Sequence, residues 1–174
     1  MRIIGGAWRS RLISFPRDRD LRPTPDRVRE TLFNWLGQDL TGKTCLDLFA
    51  GSGALGFEAA SRGARRVVMV ENDAMVLRAI VASREALAAA AVEPRKADAL
   101  EFLRADGGVY DVVFVDPPFK AGYWPRLTPL LPPRLARDAL VYYESAARPD
   151  LPPGWEIHRE GRAGKVLFQL LKLA

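Results

Sequence analysis

Strand-like and helix-like stretches alternate along most of the chain, which predicts an α/β fold: a mostly parallel sheet with helices on both faces. Two further observations sharpen this. An apolar strand runs into a glycine loop and then a helix at Asp47-Leu48-Phe49-Ala50-Gly51-Ser52-Gly53-Ala54-Leu55-Gly56. Near the other end, apolar runs at about 154–159 and 165–173 flank a turn through Gly161 and Gly164, predicting an antiparallel hairpin at one sheet edge.

The elements follow in order. Residues 1–23 lack a helical period and contain Gly5-Gly6, Pro16 and Pro23, so they read as a short basic strand or hairpin arm. Thr24-Pro25-Asp26 starts a helix: Thr24 can cap, Pro25 suits the first helical position, and Asp26 suits the positive helix end. Val28, Leu32, Trp35 and Leu36 share one face of it, and it stops near Gly37 or Gly42. A strand at about 44–49 and a helix at about 54–62 bracket the glycine loop. Arg66–Glu71 is the second strand, followed by a long alanine-rich helix over about 73–91. A third strand at about 93–97 leads to Asp98 and a short helix at 99–105. Asp111–Val115 is continuously apolar after its first residue and reads as a buried fourth strand. A proline-interrupted helix at 123–137 and a fifth strand at about 139–143 precede the hairpin.

The 174 residues suit one domain, 1–174, with 1–23 as its basic arm. A composition 48% hydrophobic and 27% charged excludes a disordered chain. Net charge is +5, and residues 1–30 hold eight arginines (Arg2, Arg9, Arg11, Arg17, Arg19, Arg22, Arg27, Arg29) against four acids. So local an excess favours a polyanionic partner, nucleic acid first and membrane surface second. Cys45, the single cysteine, opens an apolar run and reads as a buried thiol; with a single histidine, His158, a structural metal site is not expected. Met1-Arg2-Ile3-Ile4-Gly5-Gly6 lacks a signal-peptide core, and no apolar run reaches bilayer length, so a cytoplasmic protein is expected.

Gly51, Gly53 and Gly56 also satisfy the dinucleotide-binding GxGxxG pattern, so the loop alone does not name its ligand. Four acids fall at or beside predicted strand ends, where ligands of open α/β sheets bind: Asp47, Glu71, Asp98 and Asp116. Glu71, 20 residues after Gly51, can accept both ribose hydroxyls of NAD or of S-adenosylmethionine. Asp98 can take an adenine amino group or cap the helix 99–105, with nothing to choose between them. Asp47 discriminates better: it would repel a pyrophosphate but suits an ammonium and a sulfonium. No Tyr-x-x-x-Lys or well-placed histidine offers hydride chemistry. Asp116-Pro117-Pro118-Phe119 decides the matter. Paired prolines after a buried strand fix the chain direction. The Asp116 carboxylate and the Pro117 carbonyl can then grip both hydrogens of an exocyclic NH2, turning its lone pair toward a methyl group, while Phe119 stacks the base.

Asp-Leu-Phe-Ala-Gly-Ser-Gly (47–53), Glu71, Asp98 and Asp-Pro-Pro-Phe (116–119) resemble the motif series of class I S-adenosylmethionine-dependent methyltransferases acting on base amines. The chain most closely resembles the bacterial 16S rRNA (guanine-N2)-methyltransferases that act on the small-subunit head. The matching pieces are Met1–Gly6, Arg22–Glu30, Leu32–Leu36, the glycine motif through Gly63, Tyr143-Glu144-Ser145, His158-Arg159-Glu160 and Ala163-Gly164. Ser10 departs, standing where that family usually has glycine.

The resemblance implies a Rossmann-like class I methyltransferase fold with a seven-stranded sheet. It implies S-adenosylmethionine as donor, S-adenosylhomocysteine as product, no metal, and 16S rRNA in an assembling or assembled 30S subunit as substrate, with a monomer the plain expectation. By position, Asp47, Gly51, Ser52 and Gly53 would hold the methionine end, Glu71 and Asn72 the ribose, and Asp98 and the Ala99 backbone the adenine. Arg22 and Thr24 are candidates to close over the methionine end. Asp116, Pro117 and Phe119 would be catalytic, and Arg2, Arg9, Arg11, Arg22 and Arg27 would hold RNA. An N6-adenine methyltransferase, an NAD-dependent oxidoreductase and a non-catalytic rRNA-binding assembly protein are the alternatives.

Overall fold

A computed structural model describes residues 1–17, 19, 21–118 and 122–174. Seven strands form one sheet: β1 (Thr44–Asp47), β2 (Arg66–Glu71), β3 (Val92–Lys96), β4 (Tyr110–Val115), β5 (Leu135–Ser145), β6 (Trp155–Ala163) and β7 (Val166–Leu173). Their order is β3-β2-β1-β4-β5-β7-β6. The first five are parallel, and β7 joins β5 and β6 antiparallel, the predicted hairpin. The strand order reverses between β1 and β4, so the crevice for a ligand lies over the carboxyl ends of those two strands.

Alternating strand residues feed two cores, one on each face of the sheet. Cys45, Val67, Met69, Phe114 and Tyr142 pack on one side with Leu32, Phe33 and Phe57. Leu46, Val68, Val70, Val113 and Val115 pack on the other with Leu100, Leu103, Trp124 and Trp155. The helices packed on the sheet are α1 (Asp26–Trp35), α2 (Ala54–Ser61), α3 (Ala74–Ala86), which adds Ile80 to the first core, α4 (Ala99–Ala105) and α5 (Trp124–Leu127).

Every residue of α2 is buried, because the amino-terminal segment covers its outer side. That segment is a small hairpin: Ile3 N–H donates to the Arg11 carbonyl and Ile13 N–H to the Met1 carbonyl, around a 3-10 turn at Gly6–Trp8. Ser10 has φ 70, a left-handed conformation that costs an L-residue roughly 1–2 kcal/mol and that glycine adopts without that cost. The hairpin is clamped by Glu58, whose carboxylate accepts the N–H groups of Ile4 (2.9 Å) and Gly5 (3.0 Å), Arg62 Nε (3.0 Å) and Arg29 Nη1 (3.3 Å).

Several expectations need correction. Thr24 does not cap α1; Pro25 is the N-cap residue, and Thr24 is buried with its carbonyl accepting Arg29 Nε at 3.1 Å. Arg29 does not belong to the basic patch, since it is fully buried between the Arg2 and Thr24 carbonyls and Glu58. The alanine-rich helix stops at Ala86, and Ala88 turns at φ 51 so that β3 can start at Val92. The segment 123–137 holds only the four-residue α5 and a 3-10 turn at Pro132–Arg134, and Leu135 already belongs to β5. Prolines 132 and 133 lack the N–H groups that a continuing helix needs. Gly161 lies in β6 rather than in the turn, and a Cβ there would come within 2.5 Å of the Phe168 ring.

Candidate active site

Asp47 ends β1 and is almost wholly buried. Its Oδ2 accepts the Gly56 N–H at 3.0 Å, the third N–H of α2, which the helix itself cannot satisfy. Burial pushes the Asp47 carboxyl up to about 7; the Gly56 bond opposes this, and Glu71 adds repulsion. Two glycines make the approach possible. Gly53 turns the chain at φ 84, where a Cβ would sit 2.7 Å from Phe57. Gly56 lets α2 lie on β2, where a Cβ would meet Met69 Sδ at 2.8 Å.

Glu71 ends β2 and is half-buried. Burial raises its carboxyl above the usual range, against hydrogen bonds from the backbone N–H groups of Asp73, Gly51 and Asn72. The glycine loop and this carboxylate are therefore tied together. Ser52 and Ala99 are buried, and Asn72 is exposed. Asp98 caps α4, its Oδ1 accepting Leu100 N–H at 3.0 Å and Glu101 N–H at 3.1 Å.

Asp116 and Pro117 follow β4 directly, on the other side of the crevice from the glycine loop. Burial drives the Asp116 carboxyl well above the usual carboxylate range, and the charges of Glu144 and Asp47 drive it further. Phe119 lies outside the described residues.

The structure adds two side chains to the site. Glu144, near the end of β5, is buried, and the Tyr142 hydroxyl donates to its Oε2 at 2.8 Å. Burial raises the Glu144 carboxyl as well. Tyr123 packs edge-on against Phe49, ring centroids 4.9 Å apart, so the chain beyond Asp116 touches the chain beyond β1. Tyr123, Pro117, Pro118, Tyr143, Glu144 and Ser145 are among the residues lining a cleft of about 120 Å³. For Glu144 a signal existed in the sequence: it sits two residues past a strand tyrosine, hence on that tyrosine's face. For Tyr123 there was none.

Not every expected residue reaches this edge. The hairpin carrying Arg2, Arg9 and Arg11 packs on Ser61 at the carboxyl end of α2, and Arg11 Nη2 donates to the Ala86 carbonyl that ends α3. These three exposed arginines therefore lie about 12 Å, one length of α2, below the glycine loop. Arg22 and Arg27 are also exposed. The chain climbs to the site further on: Arg19 pairs with Asp73 at 3.5 Å, and a Cβ on Gly51 would lie 3.7 Å from Leu21.

Cys45 is fully buried and its thiol is pushed up to about 12, chiefly by burial, so it is no nucleophile at neutral pH. Among the described residues no group of His, Cys, Asp and Glu is placed to hold a metal, and no helix is long and apolar enough to cross a membrane.

The seven-stranded, mostly parallel sheet with its antiparallel hairpin is the fold of the Rossmann-like methyltransferases. An RNA methyltransferase from Salinibacter ruber, solved with S-adenosyl-L-homocysteine, superposes with a TM-score of 0.66 at 26% identity, over 86% of this chain and 92% of that one. The chain belongs to the family described as conserved hypothetical protein 95, whose model matches residues 1–172. It is 43% identical to ribosomal RNA small subunit methyltransferase D of Escherichia coli strain K12, over 98% of this chain and 88% of that protein. A solved Escherichia coli chain, yhhF, superposes with a TM-score of 0.90 at 44% identity, over 99% of this chain and 97% of that one.

Proposed function

We propose that this protein transfers a methyl group from S-adenosylmethionine to the exocyclic N2 of a guanine in 16S rRNA, in an assembling or assembled small subunit. The observation that carries this is the carboxyl edge of the sheet, where Asp116-Pro117, with Glu144 beside it, lies across the crevice from a glycine loop flanked by Asp47 and Glu71. Carboxyls raised chiefly by burial, and at Asp47 and Asp116 further by neighbouring carboxylates, gain from a cationic ligand and reject a pyrophosphate, which argues against a nicotinamide dinucleotide. The name and extent of the Escherichia coli relative support rRNA of the small subunit as substrate.

When bound, S-adenosylmethionine supplies a methyl group activated by its sulfonium. The chain's residues do the rest. Asp47 and Gly51–Gly53 hold the methionine end, Glu71 and Asn72 the ribose, and Asp98 and the Ala99 backbone the adenine. The Asp116 carboxylate and the Pro117 carbonyl accept the two N2 hydrogens and fix the direction of the nitrogen lone pair, while Phe119 stacks the base. The N2 lone pair then forms the N–C bond as the C–S bond breaks, its electron pair staying on sulfur. One N2 proton leaves to Asp116 or to water. Orientation supplies much of the rate, because both reactants are held in line. Exposed arginines hold the rRNA backbone with an affinity that falls as salt rises.

Tritiated methyl transfer to undermethylated 30S particles, followed by nucleoside analysis, is the test. N2-methylguanine is expected; N6-methyladenine as product would replace this proposal with the adenine alternative. Asp116→Ala should lower turnover at least about a hundredfold while largely sparing rRNA binding. Near-normal methylation by that variant would sink the mechanism.

A further inference from the structure

We propose that Glu144 reads the Watson–Crick edge of the target base, its Oε1 accepting the guanine N1–H while Asp116 and the Pro117 carbonyl take the N2 amine. This rests on the guanine-N2 reading above and identifies the residue that makes the site select guanine.

The register of the sheet places the two acids together. Phe114 is opposite Tyr142 and Val115 opposite Tyr143, so Asp116 and Glu144 come next on their neighbouring strands. Period-two alternation carries Glu144 to the face of Tyr142, and Asp116, if the extended chain continues, to the face of Phe114. Asp47 ends β1 in register with Phe114 on that same face. The repulsion that Glu144 and Asp47 exert on Asp116 fits this convergence.

Glu144 is held in place from below. The Tyr142 hydroxyl, on a fully buried ring, donates to Oε2, and among the described residues Oε1 accepts no hydrogen bond. Glu144 is also among the residues lining the cleft formed with Pro117, Pro118 and Tyr123. A fixed acceptor beside Asp116 requires a donor once a base covers it. The atom next to the N2 amine along the guanine edge is N1, and it carries a hydrogen. Adenine presents a bare N1 beside its amine, so an ionised Glu144 would set two lone pairs against each other. A site built around such a bond rejects analogues that lack it, because the buried group is left unpaired.

The test uses RNA substrates carrying either guanine or 2-aminopurine at the target position. 2-Aminopurine keeps the N2 amine but has no hydrogen on N1. The unaltered enzyme should prefer guanine in kcat/KM by about tenfold to a hundredfold, the worth of one good base-edge contact. Glu144→Gln can turn its amide N–H toward the bare N1, so that preference should fall at least about fivefold. The ratio is taken within each variant, so partial loss of folded protein cancels. A Glu144→Gln ratio within about twofold of the unaltered one overturns the inference. If that variant does not fold, the unaltered enzyme still decides, since equal use of the two bases also overturns it. Both outcomes leave guanine methylation intact; absence of N2-methylguanine from the guanine RNA overturns the proposed function itself.

Discussion

Asp47 is held by one oxygen: Oδ2 caps α2 through Gly56, in a site so dry that the carboxyl rises to about 7. A cationic donor favours its ionised form. Below its raised value the carboxyl must lose a proton before it can pair, so donor affinity should increase as pH rises through about 7. Calorimetry with S-adenosylmethionine should show affinity growing by up to about tenfold per pH unit between about pH 5.5 and 7, and Asp47→Asn should flatten that slope. Identical slopes for the two proteins would remove Asp47 from donor binding. The sequence marked Asp47 as an acid beside a glycine loop, a juxtaposition legible because loop and acid are contiguous. It misjudged Arg29 because the partner that buries it, Glu58, lies 29 residues away and is invisible to a local count of charges.

The amino-terminal hairpin and α1 are fastened to α2 by that pair. Arg29 is fully buried, and its guanidinium is satisfied by two carbonyls, Asp26 and Glu58. Truncating Glu58 to Ala would leave a buried cation and two backbone N–H groups without their acceptor. We expect a loss of about 3–5 kcal/mol in urea unfolding, and faster amide exchange at Ile4 and Gly5 than elsewhere in the chain. A loss below about 1 kcal/mol would show that the clamp does not hold the hairpin. At this scale β1, β2, β4 and the helix after the glycine loop were legible, since each carries its own apolar run between turn residues. The segment 123–137 was not. Its prolines marked an interrupted helix but said nothing about where β5 would take over, which the pairing of Tyr110 with Leu135 decides.

For the molecule as a whole, the carboxyl edge sets a pH dependence. Asp47, Glu71, Asp116 and Glu144 all bind protons more tightly in the folded state than in the unfolded chain. Their contribution to stability is therefore full below the ordinary carboxylate range and is lost as pH rises through their folded values. Glu93, Asp39 and Glu160 are shifted the other way, and their contributions fall away only in more acid solution. Between about pH 5.5 and 8 the raised groups decide, so the ligand-free protein should melt several degrees lower at the upper end. Bound S-adenosylmethionine should recover much of that loss. A melting temperature that climbs with pH without ligand would contradict this. The charge pattern that suits a donor thus comes at the expense of the empty fold. The hairpin at the far edge has a consequence in time. β6 touches the sheet only through β7, and β7 lies between β6 and β5. A growing chain that has made β6 cannot yet use it, and the apolar margin of β5 stays bare until β7 has been made. The two-residue turn at Gly164-Lys165 lets the last two strands zip locally and dock as a ready-made ribbon. Assembly of this sheet therefore finishes with its most exposed seam, and the interval before docking is when a nascent chain most needs protection from its neighbours.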